Sequence, residues 1–79
     1  ANVVLLKGKV VVDFYLPGRQ RVRVSVSDLN GREVKCLADQ IFEQGNHRIN
    51  WKDRNIRPGI YLIKFRGIKY QVTKRLLII

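Results

Sequence analysis

The side chains that could support catalysis are few and widely separated. His47 is the only histidine and Cys36 the only cysteine, and one residue of each kind cannot form a closed zinc site. Ser25 and Ser27 lie inside an alternating segment, without the base and orienting group of a catalytic triad. The scattered carboxylates do not resemble a calcium loop, and there is no glycine-rich phosphate loop. The sequence therefore predicts no enzyme activity, no metal site and no cofactor.

Basic residues are the most prominent chemical feature of the chain. Sixteen lysines and arginines against six acidic residues give a formal charge of +10, which favours an anionic partner such as a lipopolysaccharide surface. One set forms either an anion-binding stripe or a solvated face that keeps sheet edges from pairing; its members are Arg19, Arg21, Arg23, Lys64 and Arg66. Nucleic acid is disfavoured as a partner, because the sheets that bind it also expose aromatic rings for stacking.

One segment, residues 22–38, predicts a β-hairpin around which the rest of the chain is organised. Val22, Val24 and Val26 alternate with polar residues, which is the period of a strand. Asn30 and Gly31 supply the turn, because both residue types tolerate positive φ.

The loop length decides which residues of the two arms face each other. A two-residue turn would place Val26 opposite Lys35. A three-residue loop over residues 29–31 places Val26 opposite Val34 and leaves one face wholly apolar, so we predict the longer loop.

Two further contacts follow from this predicted register. Cys36 faces Val24 and points inward, as a small buried apolar residue. Asp28 faces Arg32 and forms an opposite-charge pair.

The remaining strands are predicted by the same alternation over residues 10–16, 47–51, 60–66 and 69–79, with a second turn at Pro58-Gly59. Residues 1–9 form a linker or an added edge strand, ahead of a single domain over residues 10–79. No segment shows helical periodicity at the length of a stable helix. No apolar run approaches the roughly 20 residues that a membrane helix needs.

Six or seven short strands separated by turns predict an all-β antiparallel sandwich. Its large apolar and aromatic residues are expected to fill a thin core, since a chain of this size buries a small share of its surface. The predicted core includes Val24, Val26, Val34, Trp51, Tyr61 and Ile63.

Four short motifs occur in order along the chain. They are Asp-Leu-Asn-Gly-Arg-Glu-Val at 28–34, Gly-Asn-His at 45–47 followed by Trp51, Pro-Gly-Ile-Tyr at 58–61, and Thr-Lys-Arg-Leu at 73–76. In this order they resemble the type A C-terminal sorting domains of the bacterial type IX secretion system, over roughly residues 10–79. An immunoglobulin-like module of flagellar hook-capping proteins shares parts of the pattern.

The resemblance implies an immunoglobulin-like fold on a secreted or cell-surface protein, without catalysis. It also implies recognition of the domain by the secretion machinery, followed by removal by a sortase or retention as an anchor. The basic pair and apolar end match the family's terminal motif, and these residues are the recognition candidates: Lys74, Arg75, Leu76, Leu77, Ile78 and Ile79. Packing as the last strand is the plainer interpretation of the same residues.

A second hypothesis belongs to a different class of protein. The apolar segments at residues 1–6 and 76–79 could add a strand to the open sheet edge of a neighbouring copy. Such head-to-tail contacts generate open helical assemblies. The domain would then be a subunit of an extracellular filament or surface assembly.

Overall fold

The backbone of this chain is built from β-strands. The structure, a computed structural model, describes residues 2–6, 9–52, 56–69 and 71–78. Those ranges contain no helix with the length and apolarity to cross a membrane. They contain seven strands: β1 Asn2–Leu6, β2 Lys9–Leu16, β3 Gln20–Asp28, β4 Glu33–Phe42, β5 Gly45–Lys52, β6 Gly59–Arg66 and β7 Gln71–Ile78.

The strands form two antiparallel sheets. One sheet has three strands in the order β1-β2-β5, and the other has four in the order β4-β3-β6-β7. The chain changes sheet after β2, after β4 and after β5, which is the connectivity of immunoglobulin-like sandwiches. The predicted all-β, immunoglobulin-like antiparallel sandwich is therefore confirmed. β1 is an edge strand, and it contacts β7 of the other sheet.

The core is one layer of side chains between the two sheets. β3 supplies Val22, Val24 and Val26, which are all 0% exposed, and β6 supplies Ile63 and Phe65. The buried residues that face them from the three-stranded sheet are Val10, Val12, Phe14, Leu16 and Trp51. Full burial of an aliphatic side chain of this size contributes about 1.5–3 kcal/mol, so the valine face of β3 is a main source of stability.

The hairpin register differs from the predicted one, because β4 contains extra residues. Val24 pairs with Ala38, but Ser25 pairs with Cys36, so Leu37 lies at a register shift. A bulge of this kind reverses the side-chain alternation. Cys36 is consequently exposed, and the larger apolar side chain of Leu37 packs against the core instead. The prediction of an inward-pointing thiol is wrong.

A second register shift displaces Val34 from the core. Val26 pairs with Lys35 and Ser27 pairs with Glu33, which leaves Val34 between two paired residues. Its side chain is 43% exposed. The expectation that Val34 lies in the core and faces Val26 is therefore wrong, for the same physical reason as for Cys36.

The turn of the hairpin is a three-residue loop held by one carboxylate. The Asp28 amide donates to the Arg32 carbonyl at 2.9 Å, which closes the loop over residues 29–31. The Asp28 carboxylate accepts from the backbone amides of Asn30 and Arg32, both at 2.9 Å. The ion pairs among the described residues do not include the expected Asp28–Arg32 pair, because this carboxylate is directed at the backbone. Gly31 has φ +86°, a conformation that suits glycine.

The start of β6 is fixed by a tyrosine. Tyr61 is half-buried against the core, and its hydroxyl donates to the carbonyl of Arg57 at 2.6 Å. A tyrosine near the start of this strand that bonds to the backbone a few residues upstream is the tyrosine corner of immunoglobulin-like domains. The bond spans the Pro58-Gly59 turn and ties it to β6.

Replacement of Gly31 tests the strain at the turn. Gly31→Val should lower the free energy of unfolding by more than about 1 kcal/mol, because a β-branched residue is strained at positive φ. Gly18→Ala is the matched control, since a Cβ there meets nothing within 4 Å and its φ is not positive. Thermal unfolding measures both variants, and equal midpoints would contradict the assigned turn.

Removal of one hydroxyl tests the tyrosine corner. Tyr61→Phe keeps the ring in place but deletes the bond to Arg57, and should destabilise the domain by about 0.5–1.5 kcal/mol. Tyr15→Phe is the control, because Tyr15 is 57% exposed. Denaturant unfolding of the two variants gives the comparison. A loss in Tyr15→Phe as large as in Tyr61→Phe would argue against the corner.

Candidate functional site

The recognition candidates lie on β7, at the edge of the four-stranded sheet. One side of β7 pairs with β6 in continuous register, from Arg66 opposite Gln71 to Gly59 opposite Ile78. No described strand pairs with its other side. This edge therefore has no hydrogen-bonded neighbour among the described strands, although β1 of the other sheet contacts β7. Ile79 lies outside the described residues.

The apolar candidates divide between the two faces of β7. Leu76 is 5% exposed and belongs to the core cluster, and Ile78 is half-buried against the same cluster. Leu77 points to the outer face and is 54% exposed, opposite Ile60 at 39%. Leu76 and Ile78 therefore have a packing role, whereas Leu77 is available to a partner.

The two basic candidates also point in opposite directions. Lys74 is opposite the buried Ile63 and shares the core-facing side of the strand with Leu76, yet it is exposed at the sheet edge. Arg75 is opposite Leu62 on the outer face. A charge on the inner side of an edge strand is a common obstacle to pairing between sheets. Lys74 and Arg75, which are adjacent in the sequence, therefore lie on opposite faces of β7.

Three of the five residues of the expected basic stripe are paired with carboxylates from β4 or the loop after it. Nitrogen–oxygen distances are 2.8 Å for Arg19–Glu43, 3.1 Å for Arg21–Asp39 and 2.7 Å for Arg23–Glu33. Lys64 and Arg66 have no carboxylate within 4.0 Å among the residues that the structure describes. Among these five residues, the positive charge that remains unpaired therefore lies on β6.

The ion pairs shift the ionisation of two carboxylates. A hydrogen bond from Arg23 holds the pKa of Glu33 below its ordinary value, against an opposing effect of partial desolvation. On the other sheet, Arg48 donates two hydrogen bonds to Asp13, at 2.7 and 3.2 Å, and lowers the pKa of Asp13 in the same way. Both carboxylates are therefore negatively charged at neutral pH, and each offsets one arginine.

A comparison of the sequence with known families decides which family this chain belongs to. A family model described as the secretion system C-terminal sorting domain matches residues 6–79, almost the whole chain. The chain belongs to this family. It is therefore a sorting domain for type IX secretion, and it marks its protein for export from the cell. No curated protein and no solved structure gives a significant match to the chain.

The titratable residues outside the ion pairs have structural positions in this sorting domain. His47 Nε2 donates to the carbonyl of Glu43 at 2.6 Å, and its ring lies 5.4 Å from that of Phe14 and 5.0 Å from that of Phe42. Cys36 Sγ lies 3.6 Å from the Ala38 carbonyl. Within the described ranges, no group of three or more histidine, cysteine or acidic residues could hold a metal ion.

The acidic partners on β4 were missed by the sequence reasoning. The signal was present in the hairpin, because the alternation of β3 and β4 places Arg23 directly opposite Asp39. This pairing can be predicted from the sequence only when the position of the β4 bulge is known. The inner-side position of Lys74 follows from its spacing of two residues from the buried Leu76, whereas its exposure there depends on β7 being an edge strand.

Replacing each of the two arginines in turn tests which carboxylate it pairs with. Arg48→Gln should raise the pKa of Asp13 and leave that of Glu33 unchanged, and Arg23→Gln should do the reverse. Carboxyl NMR titration of both variants measures the effect, and each residue is the control for the other. If both pKa values rose together in either variant, a general charge effect would replace the specific pairs.

The sign of the accompanying stability change follows from these shifts. A carboxyl whose folded-state pKa is depressed contributes stability above its unfolded pKa, near 4. That contribution is lost as the pH falls through the folded value. Acid unfolding of Arg48→Gln should therefore depend less steeply on pH below about 4, and the effect should be small because the pair is exposed.

Proposed function

We propose that this sorting domain is a non-catalytic address that the type IX translocon reads along the edge strand β7. The family match over residues 6–79 is the observation that supports the sorting role. The geometry of β7 supports its use as the contact surface, because one side of the strand is unpaired by any described strand. A partner strand could add to this edge through main-chain hydrogen bonds, with side chains supplying specificity.

The side chains of β7 divide the task between folding and recognition in this proposal. Leu76 and Ile78 hold the strand on the core, and Ile79 continues the apolar sequence. Lys74, Arg75 and Leu77 are exposed and make the contacts with the translocon. Retention of the domain as an anchor at the cell surface is part of the same proposal. The domain would act as an anchor after translocation, when the machinery has released β7.

The filament alternative uses the same edge with a different partner. Pairing of β7 with a strand of another copy would bring two chains of charge +10 together, and like charges of this size oppose association. Lys74 on the inner side of β7 adds a local obstacle to such pairing. These two features favour a partner with complementary charge over a second copy of this chain.

Removal of the two basic side chains tests the recognition role. A reporter fused ahead of the domain carrying Lys74→Gln and Arg75→Gln should accumulate in the periplasm of a host that has the machinery. The fold should survive, because exposed charges contribute little to stability individually. Lys35→Gln with Lys52→Gln removes the same charge from other exposed positions and should be exported normally. Normal export of the folded Lys74 and Arg75 variant would contradict the proposal.

A second pair of variants separates the apolar contact from a general loss of surface hydrophobicity. Leu77 and Ile41 have nearly equal exposure, 54% and 51%, and lie on opposite edge strands of the same sheet. Leu77→Ser should reduce export several-fold, whereas Ile41→Ser should not. Circular dichroism checks that both variants are folded. Equal export of the two variants would show that Leu77 is not part of the recognition surface. Sedimentation of the unmodified domain into polymers would favour the filament subunit.

A further inference from the structure

A groove crosses the outer face of the four-stranded sheet, away from the free edge of β7. Its volume is about 190 Å³. Ser25 and Ser27 form its floor, and Arg23, Lys64 and Arg66 are among the residues that line its sides. The proposed export function uses none of these residues.

The groove follows from the lengths of side chains in neighbouring strands. Ser25 on β3 is directly opposite Lys64 on β6, and Arg23 is directly opposite Arg66. Two short side chains on a central strand, with long ones beside them, leave a depression in an otherwise flat sheet. The serines are therefore covered by their neighbours, at 4% and 2% exposure.

No protein hydrogen bond to either serine hydroxyl is present within the described part of the chain, and no fully buried side-chain oxygen there lacks a partner, so both hydroxyls reach the space of the groove. Because both side chains line the groove, a ligand in the groove could accept their hydrogen bonds. The floor of the groove thus offers two donors.

The charges around the floor are predominantly positive. Arg23 and Arg66 are like charges placed directly opposite each other, an arrangement that is unfavourable on its own. Arg23 is offset by Glu33 at 2.7 Å and by Asp39 at 3.6 Å. Lys64 and Arg66 have no carboxylate within 4.0 Å among the described residues, although Lys64 interacts with Glu33 over a longer distance. Glu33 also lines the groove, so an anion must bind at the Lys64 and Arg66 side.

We propose that this groove binds one tetrahedral oxyanion, a phosphate or sulfate group. The hydroxyls of Ser25 and Ser27 donate to it from the floor, and the guanidinium of Arg66 and the ammonium of Lys64 donate from the side. Donors that converge from several directions suit the terminal oxygens of a tetrahedral group, and bonds between charged groups are the strong ones. A planar carboxylate presents both oxygens in one plane and uses fewer of these donors.

Titration of the 79-residue domain with inorganic phosphate tests the site. At constant ionic strength, phosphate should shift the amide NMR signals of residues 25–27 and 64–66, and an equal concentration of acetate should not. Lys64→Gln with Arg66→Gln should weaken phosphate binding at least tenfold. Lys35→Gln with Lys52→Gln, which removes the same charge elsewhere, should change it less than twofold. An equal loss in both double variants would show general charge attraction and would overturn the site.

The hydroxyls need a separate variant, because charge alone could attract phosphate. Ser25→Ala with Ser27→Ala should weaken binding several-fold while the domain remains folded, as judged by its NMR spectrum. Unchanged binding in the folded variant, or acetate binding as tight as phosphate, would overturn the proposal. The readout is binding and not export, so its outcome is independent of the role of β7.

Two further ligands distinguish the source of the oxyanion once phosphate binds. Glucose 1-phosphate should bind more tightly than inorganic phosphate if the natural ligand is a phosphorylated glycan. Vesicles containing phosphatidic acid should bind more tightly if it is a lipid headgroup. Binding of inorganic phosphate at least as tightly as both would identify the free anion as the ligand. Each of these results is consistent with the oxyanion site.

Discussion

The valine face of β3 is the constraint on which the rest of the structure depends. β3 pairs with β4 on one side and with β6 on the other, and its three inward valines are fully buried. A strand with a fixed inner face also has a fixed outer face, since side chains alternate. The arginines that pair with β4 and the serines at the floor of the groove are therefore placed by the same burial that stabilises the core.

β4 adapts to this fixed strand. A regular β4 would direct Cys36 at the core, whereas the observed bulge directs Leu37 there. Leucine buries more apolar area than cysteine, and burial of apolar area favours folding in proportion. In the same register, Asp39 of β4 lies opposite Arg23 of β3. The bulges of one edge strand thus contribute both to the core and to the charge distribution of the outer face.

Much of this fold could be predicted from the sequence, and the failures have a common cause. Alternating residues such as Val22 to Val26 indicate strands, and Asn30-Gly31 indicates a turn, because both signals are local. The register of β4 and the exposure of Val34 depend on a bulge, and a period of two contains no information about where it breaks. The edge position of β7 depends on the order of strands, whereas the opposite directions of Lys74 and Arg75 follow from the alternation of side chains along one strand.

The place of β1 in the sandwich has a mechanical consequence. β1 pairs only with β2 among the described strands, from Leu6 opposite Lys9 to Asn2 opposite Asp13. A pull on any chain attached ahead of Asn2 would act first on the Asn2 pair, at the end of the ladder far from Leu6. The pairs with β2 would then open one after another, while the contacts of β1 with β7 would add to the resistance. Tension from an upstream protein would peel β1 away while β2 and the remaining core stay folded.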